Sequence, residues 1–364
     1  MLDREQLETF ATVAEEQSFE KAALKLNITR GAVSQRLKAL EESVAAVLLV
    51  REKPVLPTSA GEILLRHVQA MRIIESSALN ELMPTPRHHE PVALAIAVNA
   101  DSLATWFPMV LHRILLNRQM AIEVISDDQD HTSARLVRGE VIGCISTDAR
   151  PAVSFLAEPL GAMTYRCCAA PAYATEHFRD GLTVQGVLSA TAVLFNRKDA
   201  LHDDFLRRVF GFSIDRYARH YLPSPAALLN AIVIGGGYGL VPSAQCESLI
   251  RDGQLIDLAP EHAVDVALHW HHWMLEPPLA QDITALIVEV AHGQLKQPPL
   301  TDAAVFCRQS ALGSDGDGSG NGYRDGDREP LPDQVVATRP DANSPADRET
   351  RSASPRSTPD QDST

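Results

Sequence analysis

The stretch FEKAALKLNITRGAVSQRLKALE, residues 19–41, decides the fold of the N-terminal region. It contains two amphipathic helical segments: Ser18 is placed to cap a helix over Phe19–Leu26, and Thr29 to cap another that runs to about Glu42. Only residues 27–29 separate them. A turn of this length between two short helices is the spacing of a helix-turn-helix, so the sequence predicts that motif.

One face of the second of these helices is suited to DNA contact. Arg30, Ser34 and Lys38 recur at helical spacing with Gln35 beside them, and apolar residues occupy the opposite side. Such a face can meet base edges in a major groove, while neighbouring polar residues hold phosphates. The predicted groove contacts are Arg30, Ser34, Gln35 and Lys38, and the predicted phosphate contacts are Thr29, Arg51, Lys53 and Thr58.

The charge distribution agrees with a local DNA contact. The whole chain has a net charge of −14, which excludes a protein that coats nucleic acid by bulk charge. Residues 21–53 nevertheless contain seven basic and three acidic residues, whereas residues 3–20 contain six acidic residues and one Arg. With an amphipathic helix over Arg4–Glu16 and an extended hairpin after the third helix, residues 1–58 are predicted to form a winged helix-turn-helix domain. The alternative is a small helical domain whose charges are only solvated.

Residues 59–83 are predicted to form a long linker helix. Ser59 and Glu62 have the spacing of a capping box, and Glu75 interrupts the apolar stripe that follows. The stripe would be buried against a second copy of the chain, or alternatively against the protein's own domain. Residues 84–91 contain the three prolines that end this segment and form a linker. The stripe consists of Leu64, Val68, Met71, Ile74, Ala78 and Leu82.

Residues 92–300 alternate apolar strands with amphipathic helices, which predicts an α/β domain with mainly parallel strands and room for two lobes. Ligands of such folds bind at the carboxyl ends of strands. Polar residues follow two predicted strands and could hold an amino acid, although Asp101 and Ser102 could equally be ordinary helix caps. The candidate ligand contacts are Asn99, Asp101, Ser102, Asp127 and Asp128.

Several other functions are disfavoured by the sequence. Five cysteines without CxxC spacing fit reduced thiols in the cytoplasm, and neither an export signal nor an apolar stretch long enough to span a membrane is evident. The glycines of residues 235–239 are predicted to end a helix, because no GK[ST] follows them. The histidines of residues 269–272 are too few for a metal site, and no nucleophile and base have a diagnostic spacing. We therefore expect neither an enzyme nor a bound cofactor, and a disordered tail over residues 308–364.

The motifs as a set resemble a known family. Residues 19–41, together with LLVREKPVLPTSAGE at 48–62, are similar to the winged helix-turn-helix of LysR-type transcriptional regulators. The segments LAIAVNADSLATWFP at 94–108, RLVRGEVIGCIS at 135–146 and LHWHHW at 268–273 resemble the ArgP group, called LysG in some lineages, which regulates export of basic amino acids. The resemblance covers about residues 1–298.

The resemblance implies a cytoplasmic homodimer or homotetramer, joined through the linker helices, that binds double-stranded promoter DNA and acts with RNA polymerase. It implies a periplasmic-binding-protein-like effector domain of two lobes that senses lysine or arginine and controls a basic amino acid exporter or related genes. Two alternatives stay open at this point. The chain could be an architectural DNA-binding protein without an effector response, or an amino-acid-binding module or enzyme.

Overall fold

The computed structural model describes residues 2–82, 91–116, 120–126 and 129–297, without the side chains of residues 80 and 129–132. The predicted tail at 308–364 and the linker at 84–90 lie outside these ranges. No helix among the described residues is long and apolar enough to cross a membrane. The N-terminal domain consists of helices α1 (Arg4–Glu16), α2 (Phe19–Lys25) and α3 (Arg30–Val44) and of strands β1 (Leu49–Val50) and β2 (Leu56–Pro57).

The predicted caps form the helix-turn-helix. The Ser18 side chain accepts a hydrogen bond from the backbone N–H of Lys21, and Thr29 Oγ1 accepts one from Ala32 N at 3.1 Å. Each cap satisfies an N–H group that has no partner inside its helix. Helix α2 ends one residue earlier than predicted, and α3 continues two residues beyond Glu42. The three helices enclose one apolar core built mainly from Phe10, Ala11, Val13, Ala22, Val33, Leu37, Leu40, Leu48 and Leu49.

The linker helix α4 spans Ser59–Leu82, but its cap differs from the predicted one. Thr58 Oγ1 accepts a hydrogen bond from Gly61 N at 3.1 Å and donates one to Val47 O at 2.6 Å. The capping residue is therefore Thr58, and the predicted capping box of Ser59 and Glu62 is wrong. The second hydrogen bond of the Thr58 hydroxyl joins the start of α4 to the segment before β1.

The apolar stripe of α4 is divided between two environments. Val68 is buried in the core of the N-terminal domain and Leu64 packs against it. Further along the helix, Met71 is 46% exposed, Ile74 51% and Leu82 79%. The first part of the stripe therefore packs on the chain's own domain, and the second part is left uncovered in a single chain.

The second domain is an α/β structure around one nine-stranded sheet. The sheet order is β4-β3-β5-β11-β6-β9-β7-β8, with β10 paired to β6. Its strands are β3 (Val92–Ala97), β4 (Met120–Ile125), β5 (Gly143–Ser146), β6 (Phe155–Ala169), β7 (Thr191–Leu194), β8 (Ala218–Tyr221), β9 (Tyr238–Pro242), β10 (Ile256–Asp257) and β11 (Val264–Trp273). Its helices are α5 (Ala100–Ala104), α6 (Phe107–Leu115), α7 (Gln129–Val137), α8 (Pro171–His177), α9 (Val184–Ser189), α10 (Leu201–Phe210), α11 (Pro225–Val233), α12 (Ser243–Arg251) and α13 (Pro278–Gln294).

The expectation of mainly parallel strands is wrong for the middle of the sheet. Strands β3, β4 and β5 pair in parallel on one side, and β7, β8 and β9 do so on the other. Between them the long strands β6 and β11 run antiparallel to each other and to their neighbours β9 and β5. We call the part around β3–β5 the first lobe and the part around β7–β9 the second lobe. The two long strands belong to both lobes, so the chain crosses between the lobes there.

Two glycines are required by the local geometry of this domain. Gly235 follows α11 with a φ of +82°, a backbone conformation that ends the helix, as the sequence predicted. A Cβ atom at Gly143 would lie 2.1 Å from the Trp270 ring, so β5 and β11 need glycine to pair across this tryptophan. Among the described cysteines, Cys144, Cys167, Cys168 and Cys246 are free and buried.

Candidate functional site

The outer face of α3 presents the residues that the sequence predicted for groove contact. Arg30, Ser34, Gln35 and Lys38 are all exposed. The opposite face buries Val33, Leu37 and Leu40, which hold the helix on the domain. Helix α3 therefore offers a row of hydrogen-bonding and cationic side chains to a partner, on a backbone fixed by the core.

The cations of this face have carboxylate partners that a phosphate could replace. Arg30 Nε lies 3.3 Å from Glu20 Oε1, and Lys38 Nζ lies 3.7 Å from Glu42 Oε1. Both pairs are well exposed, and ion pairs of this kind contribute about 0–1 kcal/mol in water. Exchange of such a partner for a DNA phosphate therefore costs little.

The loop between β1 and β2 forms the wing. Arg51 and Lys53 are exposed in it, and Arg51 Nη2 donates to Glu41 Oε2 at 3.0 Å. Among the described residues, no carboxylate lies within ion-pair distance of Lys53. The hydroxyls of Thr29 and Thr58 serve as helix caps, so a phosphate contact by either would add to a bond already made.

A second candidate site is a small pocket between the two lobes that is partly open to solvent. Asp101 of the first lobe and Asp199 of the second both line it, and Tyr165 of β6 lies between the lobes. The other lining residues are Val193, Leu194, Phe195, Leu201, His202, Pro225, Leu228, Leu240, Pro242 and Gln245.

The Asp101 carboxylate is one of the two acidic groups that line this pocket. Its Oδ2 accepts a hydrogen bond from the Tyr165 hydroxyl at 2.7 Å. Burial raises the pKa of Asp101 and the nearby Asp199 charge raises it further, while the Tyr165 hydrogen bond opposes them. A cation in the pocket would stabilise the ionised carboxylate against both effects.

Other predicted ligand contacts have different positions. Ser102 is fully buried, and its Oγ has no hydrogen-bond partner among the described residues. Asn99 Oδ1 is likewise buried without a partner there. Neither of these residues lines the pocket, although both adjoin Asp101 in sequence. Asp127 and Asp128 lie outside the described residues.

Three polar residues of the pocket were missed by sequence reasoning: Asp199, His202 and Gln245. Within the described part of the chain, His202 Nδ1 and Gln245 Oε1 are buried without hydrogen-bond partners. Burial lowers the pKa of His202 to about 4, so the ring is neutral at pH 7. Their position near the start of α10 and α12, after strands β7 and β9, was the available signal, because ligands gather where strands of an α/β sheet end.

The histidines of β11 serve other contacts. His271 Nε2 lies 2.7 Å from Asp148 O, and His272 Nδ1 lies 3.1 Å from Glu276 Oε2. Within the described ranges, no group of three or more His, Cys, Asp or Glu side chains is arranged to hold a metal ion. These two rings contact protein groups that follow β5 and β11.

Comparison with protein-family models accounts for both candidate sites. Residues 4–62 match the bacterial regulatory helix-turn-helix protein, lysR family, and residues 90–292 match the LysR substrate binding domain. This chain belongs to the LysR family. It is a LysR-type transcriptional regulator with an N-terminal helix-turn-helix and a C-terminal effector-sensing domain.

Comparison with individual proteins shows which members of the LysR family this chain is similar to. The transcriptional regulators ArgP of Photobacterium profundum and of Vibrio cholerae are each 35% identical to this chain, over 78% and 81% of it and over 95% and 99% of their own lengths. ArgP from Mycobacterium tuberculosis, known from a crystal structure, has 34% sequence identity to this chain. The two structures superpose with a TM-score of 0.73 over 82% of this chain and 100% of that one. Full-length LysG of Corynebacterium glutamicum with bound effector Arg is 32% identical, with a TM-score of 0.68 over 81% of this chain and 99% of that one.

Proposed function

We propose that this LysR-type regulator senses a free basic amino acid, arginine or lysine, in the pocket between its lobes. The observation that carries the proposal is the presence of the Asp101 and Asp199 carboxylates, one from each lobe, at one partly buried pocket. The described residues that line it include no Lys or Arg, and burial keeps His202 neutral at pH 7. A ligand with a cationic side chain would form charge-assisted hydrogen bonds with these carboxylates.

The lining chemistry also fits the rest of such a ligand. Leu194, Phe195 and Leu240 offer apolar surface for methylene groups, and Gln245 Oε1 offers a buried acceptor for an N–H. Ligand contacts to both lobes would favour one arrangement of the lobes, which is how binding can change the rest of the molecule. The arginine bound to the similar protein LysG supports this choice of ligand class.

On DNA, we propose that the exposed side of α3 enters the major groove, while the wing residues Arg51 and Lys53 contact phosphates. Two such domains would be joined by the uncovered part of α4, whose Met71, Ile74 and Leu82 give an apolar seam for a second copy. The proposed target is the promoter of a basic amino acid exporter or of related genes. The regulator would act there together with RNA polymerase.

Titration calorimetry tests the effector assignment with arginine, lysine and citrulline, which matches arginine in shape but has no charge. We expect arginine or lysine to bind, and citrulline to bind at least about tenfold more weakly, because a charge-assisted hydrogen bond contributes about 1.5–3 kcal/mol. Asp199→Asn should weaken binding of the cationic ligand by a similar factor. Glu289→Gln, which removes an exposed carboxylate outside the pocket lining, is the matched control.

Equal affinities for arginine and citrulline, or an unaltered affinity in Asp199→Asn, would contradict the proposal. Fluorescence anisotropy on DNA upstream of the protein's own gene then tests regulation. Specific binding that shifts with the amino acid supports an effector-responsive regulator. Specific binding that ignores every ligand would favour the architectural alternative instead.

A further inference from the structure

The linker helix α4 packs on the effector domain as well as on the N-terminal domain. Ile73 is 6% exposed and belongs to the apolar core of the effector domain, and Ala70 packs against that core. Arg66 lies on the same side of the helix, four residues before Ala70. Leu65 and Val68 meanwhile belong to the core of the N-terminal domain. Helix α4 is therefore held between the two domains of one chain.

Arg66 makes a defined contact with the first lobe. Its Nη1 donates a hydrogen bond to Val137 O at 2.8 Å, and its guanidinium carbon lies 4.9 Å from the centroid of the Phe155 ring. Val137 is the last residue of α7. Carbonyl groups at a helix end lack intrahelical partners and carry partial negative charge, so a cationic donor is well placed there.

The approach of the two elements is close at this point. The chain turns at Gly139 with a φ of +72° after α7, and a Cβ atom there would lie 3.2 Å from the backbone of Arg66. The amides of Gly139 and Glu140 bond back to carbonyls of α7, at 3.0 Å in each case. The carbonyl of Val137 is left for Arg66, which joins the end of α7 to the linker helix.

The other end of α7 lies at the same edge of the sheet as Asp101. Helix α7 begins at Gln129, shortly after the carboxyl end of β4, and β4 is parallel to β3, whose carboxyl end leads to Asp101. Nine residues of helix span about 13 Å. Arg66 is thus attached to a helix that runs from the edge of the sheet near Asp101 to the linker helix.

We propose that Arg66 is a positioning residue that fastens the linker helix to the first lobe, so that rearrangement of the effector domain on ligand binding reaches the DNA-binding domain. On the N-terminal side Arg72 completes the connection, with Nη2 2.5 Å from Glu8 Oε2 and Nη1 2.5 Å from Glu15 Oε1. The regulatory role of Arg66 rests on the proposed function. The contact of Arg66 with Val137 and Phe155, which we call the tie, does not.

Three variants of the full chain test the tie. Arg66→Met keeps an apolar stem beside Phe155 but removes the donor and the charge, and Arg66→Lys keeps a cationic donor. Arg113→Met is the control, because Arg113 forms an exposed ion pair with Glu289 away from the linker contact. Amide hydrogen exchange without any ligand should be at least about fivefold faster at Gly139 and Glu140 in Arg66→Met than in the control. Unchanged exchange at these amides would overturn the proposal.

Coupling is then measured as the ratio of DNA affinities with and without arginine. Arg66→Met should bind arginine within about twofold of the wild type, yet show a ratio at least about threefold closer to one, with partial recovery in Arg66→Lys. A general structural defect would instead weaken arginine binding as well. A wild-type ratio in Arg66→Met refutes the coupling role. If the wild type itself does not bind arginine, the effector assignment fails, and the exchange result still decides whether the tie exists. If Arg66→Met does not fold, Arg66→Lys is judged against wild type by the same two measurements.

Discussion

Replacement of Lys53 by alanine should lower the salt dependence of DNA binding. Lys53 is exposed in the wing, and no carboxylate among the described residues lies within ion-pair distance of it. Its ammonium group is therefore accessible to a DNA phosphate. Each phosphate neutralised by a protein cation contributes about 0.9 to the slope of log affinity against log salt concentration. A homodimer that contacts two half-sites should lose about 1.8 from that slope in Lys53→Ala.

The size of the effect follows from the slope. Between about 50 and 200 mM salt, a slope smaller by about 1.8 reduces the fall in affinity by about twelvefold. The assay is fluorescence anisotropy on a specific duplex and on a scrambled duplex of equal length, titrated across this salt range. Arg113→Ala is the control, since it removes an exposed cation of α6, outside the N-terminal domain.

Gln35→Ala should affect the sequence specificity of DNA binding and not its salt dependence. Gln35 is exposed on α3 and uncharged, so its loss should leave the salt slope unchanged. It should instead reduce discrimination between the specific and scrambled duplexes by about 1–3 kcal/mol, the contribution of a good bidentate contact to a base. An unaltered slope in Lys53→Ala, or equal weakening on both duplexes in Gln35→Ala, would refute the assignment of wing to phosphate and α3 to bases.

Two further predictions concern stability, measured by urea unfolding. Thr58→Ala should lower the free energy of unfolding by about 1 kcal/mol, because it removes the cap of α4, whereas Ser59→Ala should have little effect; equal effects would contradict the cap assignment. Burial lowers the pKa of His202 to about 4, so below about pH 6.5 the unfolded chain binds more protons than the folded protein. The free energy of unfolding should therefore fall by up to about 3 kcal/mol between pH 6.5 and 4. His202→Phe should flatten this decline relative to the exposed-residue control His112→Phe, and identical pH profiles would disprove the reasoning.

Much of the N-terminal domain could be predicted from the sequence. The caps at Ser18 and Thr29, the turn between α2 and α3 and the exposed row on α3 all depend on residues a few positions apart. The cap of α4 was misplaced by one residue, because Thr58 is also held by Val47, which belongs to the preceding segment. The local sequence pattern gives no information about this second hydrogen bond, from Thr58 to Val47.

The pocket was predicted only in part. Asp101 was found because it follows a strand, but its partners Asp199, His202 and Gln245 come from the other lobe. Nothing in their local sequence shows that they face Asp101. The antiparallel course of β6 and β11, which brings the lobes together, was likewise not evident from alternating strands and helices.

The sequence by itself determined the order of the helices in the N-terminal domain, the separation of acidic and basic residues there and the helix-turn-helix, because periodicity and capping act over one or two helical turns. The tertiary structure alone decided which side of α4 meets each domain, where Arg66 finds the carbonyl of Val137, and how two carboxylates come to share one pocket. These contacts join residues far apart in the chain. Their geometry depends on how whole sheets and helices pack, and packing is a property of the complete core rather than of any short segment.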